Sequence, residues 1–190
     1  MTECAILVAL SFVLSLIKIW QMPLGGNVTL VSMLPVCVIS VRHGVKRGLG
    51  AAFVYSIFQL ISGIVADGIF GWGLNAAMLI GCIFFDYIAA YTVLGLSGIF
   101  RGYGEGGVYA GITAACALRF LSHFLSGYVI FRNLEQFEVF GGVFEKSPVL
   151  YSLCYNGLYM LPELILTLVA SALLLRVPTV REITGIGRSK

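Results

Sequence analysis

The sequence predicts an all-α integral membrane protein: a bundle of six transmembrane helices forming one domain over residues 1–190. Apolar residues make up 59% of the chain and charged residues only 11%, and mean hydropathy is +0.97. Soluble domains carry about 25% charge, so this chain has too little polar surface to cover a soluble globule. Disorder is excluded for the same reason, since disordered chains are poor in apolar residues. The apolar residues also fall into long continuous runs. Transmembrane strands need alternating segments of about ten residues, so the runs are read as helices, in which every backbone group is satisfied within its own segment.

In chain order the expected spans are 4–20, 28–41, 49–65, 76–100, 108–131 and 150–175. The first begins almost at Met1; no basic segment precedes it and no small-residue cleavage site ends it, so it is expected to be a retained span. The second is short and carries Pro35, and the longest connection is expected at Arg132–Val149. Glycines cluster where turns are expected, as at Gly25–Gly26 and Gly68/Gly71/Gly73. The five cysteines all fall inside spans without metal-ligand spacing and read as small apolar residues.

Six crossings put both termini on one side, with the second–third and fourth–fifth connections. That side holds Arg42, Lys46, Arg47, Arg101, Arg176, Arg181, Arg188 and Lys190, whereas the other holds Lys18, Arg132 and Lys146. Lysine and arginine concentrate in cytoplasmic loops, so both termini are expected in the cytoplasm. A net charge of +3 gives no reason to expect nucleic acid as a partner; the bilayer is the expected surroundings.

Ionisable and amide groups at membrane depth point to function, because they are costly there. Those singled out are Asp86, Arg119, His123, Asn156 and Glu163. At about 1.5 Å per residue, Asp86, His123 and Asn156 share the outer half of the membrane, and Arg119 and Glu163 lie near mid-depth. Arg119 and His123 are i, i+4 neighbours on one face, with Phe131 continuing the His123 stripe. Tyr87, Tyr151, Tyr155 and Tyr159 add aromatic surface. A carboxylate, an imidazole and an amide among such rings suit a small, flat, positively charged heteroaromatic ligand. Structural readings stand beside this one: Arg119 either pairs with Glu163 or meets Asp86 or the ligand, His123 and Asn156 can serve helix packing, and Tyr128 and Tyr151 can belong to an interfacial belt.

Zinc-protease, nucleophile-elbow and nucleotide-binding signatures are missing from the sequence. The expectation is a non-enzymatic protein without cofactor or bound metal. The competing enzyme reading would use Asp86, His123 and Glu163 as acid–base groups.

Five segments, GGNVTLVSMLP (25–35), RHGVKRG (42–48), FFDYIAAYTVLGLSGIF (84–100), LRFLSHFLSG (118–127) and YSLCYNGLYMLPE (151–163), carry a resemblance over nearly the whole chain. In them the sequence resembles the thiamin-specific substrate-binding subunits (S-components) of bacterial energy-coupling-factor vitamin transporters. The resemblance implies a plasma-membrane protein that captures thiamin, or a close analogue or precursor, from outside. It also implies a membrane-embedded coupling subunit and two cytoplasmic ATPases as partners; the near alternative is an S-component for another vitamin. By the same resemblance Asp86, Tyr87, His123, Tyr151 and Asn156 bind substrate, and Ala5 and Ala9 dock the coupling subunit. Where some family members stack the ligand between tryptophans, this chain is expected to have Gly26, Tyr55 and Phe131. Its two tryptophans, Trp20 and Trp72, are expected near outer loops.

Overall fold

A computed structural model describes residues 1–22, 25–131 and 147–184. Helix α1 (Thr2–Leu16) leads into a two-stranded antiparallel hairpin, β1 (Lys18–Gln21) and β2 (Asn27–Thr29). Helices α2 (Leu34–His43) and α3 (Val45–Val65) follow. Then come α4 (Ala76–Leu96), α5 (Gly104–Val129), α6 (Pro148–Leu175) and the short α7 (Pro178–Thr184). Among the described residues, the segments α3, α4, Arg101–Val129 and α6 are long and apolar enough to cross a membrane. Helices α1 and α2, with 15 and 10 residues, reach only about 22 and 15 Å at 1.5 Å per residue.

The first two expected spans are therefore corrected. The first helix stops at Leu16, because Ile17 is extended and the Lys18–Gln21 strand pairs with Asn27–Thr29, Lys18 facing Thr29 and Trp20 facing Val28. Ile19, Trp20, Val28 and Thr29 are residue types that favour strands. The second helix begins at Leu34 rather than near residue 28. Pro35 sits in its first turn, where its missing N–H leaves no bond unmade. The expected 132–149 connection lies largely outside the described residues.

The bundle mixes small polar residues into its apolar core and is apolar outside. Ser11, Ser40, Ser56, Ser97, Ser126, Ser152 and Thr167 are buried, whereas Ile6, Leu10, Phe53, Ile61, Leu121, Leu153 and Ile165 are exposed. Small polar residues between helices with branched apolar chains facing out are what lipid surroundings favour, since the helices gain from close packing rather than from hiding leucines.

Ion pairs fix which elements share an end. Glu3 binds Arg42 and reaches His43 Nε2 at 3.3 Å, and Glu105 binds Arg181. Arg101 donates to the carbonyls of Val41 and Arg42, at 3.2 Å each. The N-terminus, the α2–α3 turn, the α4–α5 connection and α7 thus gather at one end of the bundle.

Candidate functional site

At the opposite end a cavity enclosing about 840 Å³, its open mouth included, runs into the bundle between the hairpin and helices α3 to α6.

Asp86 and Tyr87 enter it from α4. Between Ile83 and Ala89 this helix widens to π geometry, which adds a residue to the turn and shifts the side chains beyond it; such bulges recur at functional sites. Tyr87 fits because Gly63 on α3 leaves room: a Cβ there would lie 2.2 Å from the Tyr87 hydroxyl oxygen. His123 Nδ1–H donates to Asp86 Oδ1 at 2.9 Å, and the Ser126 hydroxyl donates to Asp86 Oδ2. The bond fixes the His123 ring and leaves its Nε2 without a partner among the described residues.

Deeper in, Arg119 donates to Glu163 Oε2 at 3.0 Å, and both are almost wholly buried. Arg119 also lies over the Tyr91 ring, 4.5 Å from its centroid, and donates to the Tyr91 hydroxyl. The Thr29 hydroxyl donates to Glu163 Oε1 at 2.6 Å and exchanges a 2.7 Å bond with Ser32. This ties the hairpin to α6. Between Thr29 and Ser32, Val31 has φ +56°, a left-handed conformation that a β-branched residue resists. At the mouth, Lys18 and Asp67 form an ion pair of 2.6 Å, which Gln21 joins at 3.3 Å.

Charge counting then singles out Asp86. Lys18 cancels Asp67 and Arg119 cancels Glu163, so among the described charged residues that line the cavity Asp86 alone faces no lysine or arginine. Around it stand aromatic rings. Tyr151 stacks on Tyr155 at 5.7 Å, Tyr159 meets His123 edge-on at 6.0 Å, and Trp72 tilts against Phe131 at 6.2 Å.

The structure thus brings Asp86, Tyr87, His123, Phe131, Tyr151, Asn156 and Gly26 to one cavity, with Arg119 and Glu163 at its floor. The Arg119–Glu163 pairing is the one formed; Asp86 pairs with His123. Asn156 lines the wall with its amide already engaged. It donates to the carbonyls of His123 and Ser152 at 3.3 and 2.9 Å and accepts from Tyr159 at 2.8 Å. Tyr55 is not among the lining residues: it is fully buried against Tyr91, ring centroids 5.5 Å apart. It sits one helical turn too deep on α3.

Trp72 does lie in the α3–α4 connection, yet it lines the cavity, its indole N–H donating to the Asp67 carbonyl at 3.0 Å. Sequence reasoning missed Trp72, Gln59, Lys18 and Asp67 as lining residues. An amide inside an apolar span was a usable signal for Gln59; the Lys18–Asp67 contact, 49 residues apart, had none. Ala5 and Ala9 are exposed on α1, away from the site.

A membrane-compatible helical bundle that holds an aromatic, carboxylate-bearing cavity between polar helix faces is a small-molecule-binding membrane protein. The chain matches the thiamine transporter protein family over residues 1–181 and belongs to it. This membership places it among transporter proteins rather than enzymes. It is 28% identical over 187 residues to the thiamine transporter ThiT of Bacillus subtilis (strain 168), covering 90% of this chain and 88% of that protein. Its fold is similar to the solved structure of ThiT from Listeria monocytogenes, with a TM-score of 0.73 at 19% identity, covering 96% of this chain and 95% of that one.

Proposed function

We propose that this protein is the substrate-binding subunit of an energy-coupling-factor importer, capturing thiamin at the outer face of the bacterial cell membrane. The observation that carries the reading is the Asp86 carboxylate, which faces no lysine or arginine in an aromatic-lined cavity. Thiamin joins an aminopyrimidine, which can donate to a carboxylate, to a cationic thiazolium ring, which aromatic faces attract. Asp86 accepts from the aminopyrimidine, with the His123 Nε2 beside it as a further acceptor. Tyr87, Tyr151 and Phe131 hold the rings, with Trp72 completing the wall that Phe131 begins. Asn156 acts as a positioning residue, fixing Tyr159 and the His123 backbone.

The single domain crosses the membrane six times in this reading, with α1 and α2 as the two short crossings. The excess of lysine and arginine at the end that holds the N-terminus and α7 favours a cytoplasmic position for that end, with the cavity opening outward. Delivery requires a membrane-embedded coupling subunit and two ATPases. The exposed Ala5 and Ala9, four residues apart on α1, are the docking face, because small side chains allow close helix approach.

Titration of the purified protein with thiamin, riboflavin and pyrimidine fragments, monitored by tryptophan and tyrosine fluorescence, tests the ligand. Saturable binding of thiamin alone is expected; preferential binding of riboflavin would overturn the assignment. For coupling, Ala5→Leu or Ala9→Leu is expected to bind thiamin like the parent while uptake by the assembled transporter is lost. Parallel loss of both would mean that these alanines pack internally.

A further inference from the structure

Helix α3 contributes to the cavity through a residue that neither the resemblance nor the charge count assigns. Gln59 lies four residues after Tyr55, on the same helix face and one turn nearer the mouth. Its side chain lines the cavity, as does that of Ser62 three residues on. Gln59 is 8% exposed, and its Nε2 has no hydrogen-bond partner among the described residues. A buried amide whose donor is unused is uncommon and calls for an explanation, because the group has given up water without replacement. The neighbouring polar groups bond elsewhere, Asp86 with His123 and Ser126, Glu163 with Arg119 and Thr29, and Asn156 with the α5 and α6 backbones, and none of them bonds Gln59. What adjoins Gln59 on its open side is the cavity, and a half-turn of its terminal amide, whose nitrogen and oxygen are nearly isosteric, presents Nε2 to it.

We propose that Gln59 is a specificity-determining residue of the thiamin site, its Nε2 donating to an acceptor atom of the bound vitamin. That atom is a pyrimidine ring nitrogen or the oxygen of the hydroxyethyl tail. The inference rests on the thiamin reading above and deepens it. Asp86 can only accept, so by itself it selects for donors on the ligand. Gln59 supplies the opposite polarity, and a site built to donate rejects analogues lacking the acceptor, because its own buried N–H would then stay unpaired.

The test is calorimetric titration of the purified full chain with thiamin, alongside thermal unfolding of the ligand-free protein, for the parent, Gln59→Leu and Gln59→Met. Both variants are expected to bind about tenfold more weakly, the scale of one buried hydrogen bond. Their ligand-free melting temperatures are expected to equal or exceed the parent's, since an unpartnered amide has been replaced by an apolar chain. Two analogues identify the accepting atom: thiamin without its hydroxyl, and thiamin with a pyrimidine nitrogen replaced by carbon. For one of them the parent and the Leu variant are expected to bind alike.

Equal thiamin affinity in parent and Gln59→Leu would overturn the assignment, as would an undiminished tenfold gap for both analogues. Loss of folded ligand-free protein in both variants would also overturn it, by showing that the amide supports the bundle itself. Absence of thiamin binding in the parent would instead overturn the reading on which the assignment rests, and the assignment with it.

Discussion

At the basic end of the bundle the helices meet backbone to backbone, whereas at the cavity end side chains hold them apart. A Cβ on Gly111 of α5 would lie 2.0 Å from the Ser97 carbonyl oxygen, and one on Gly98 would lie 2.3 Å from that of Ser40. Ser40 and Ser97 complete this contact, with the Ser40 hydroxyl receiving the Gly98 N–H at 2.9 Å and the Ser97 hydroxyl bonding the Cys37 carbonyl at 3.3 Å. At the cavity end, tyrosines, Trp72 and the Arg119–Glu163 pair occupy the space between helices. The binding cavity is thus the complement of the packed end. Small residues clamp one end of the bundle, and bulky, mutually bonded side chains prop the other open.

The largest effect is expected from removing the deepest prop. Arg119→Met leaves Glu163 buried without its counter-charge, which costs about 3–5 kcal/mol. A strongly lowered melting temperature in detergent is expected, with partial recovery in Arg119→Met/Glu163→Gln. A melting temperature equal to the parent's would mean that the pair does not hold the cavity floor.

Asp86 distinguishes binding from propping at the same end. Asp86→Asn is expected to weaken thiamin binding by about 1.5–3 kcal/mol, the scale of a charge-assisted hydrogen bond, with the fold retained. Unchanged affinity in a folded variant would return Asp86 to a purely structural role.

The packed end responds in the other observable. Gly111→Ala forces the α4–α5 contact apart, and overpacking of this kind costs about 1–3 kcal/mol. Lower thermal stability is expected, with thiamin affinity close to the parent's in the protein that remains folded. A loss of affinity larger than the loss of stability would show that the two ends are not separable.

The smallest effects belong to the aromatic wall. Phe131→Ala and Trp72→Ala are each expected to weaken thiamin binding by about 0.5–1.5 kcal/mol. Phe131→Trp is expected to tighten it slightly where room allows, since tryptophan is the better cation–π partner. Parent-like binding by Phe131→Ala would place that ring outside the ligand's reach.

Composition, and spacing along a single helix, were legible in the chain before any fold was known. Low charge and long apolar runs dictate helices in a membrane. Ionisable groups inside those runs identify Asp86, Arg119, His123 and Glu163, because each must find a partner in lipid, and a helical period puts Arg119 and His123 on one face. Approximate depth followed from the helical rise, but which of the possible pairs forms emerged only from the packed bundle. The π turn at Ile83–Ala89 changes which way Asp86 points, and no single-residue propensity encodes it. The hairpin replaces helix after Leu16 because two segments can pair across a turn, a contact that residue periodicity does not record. Tyr55 falls below the cavity and Gln59 comes level with it because the crossing of α3 with α4 sets the height, and one helical turn of about 5.4 Å separates a core residue from a lining one. Trp72 reaches the site from a connecting segment, where direction depends on what it packs against, here Phe131 and the Asp67 carbonyl. Periodicity acts within an element, and the cavity lies between elements.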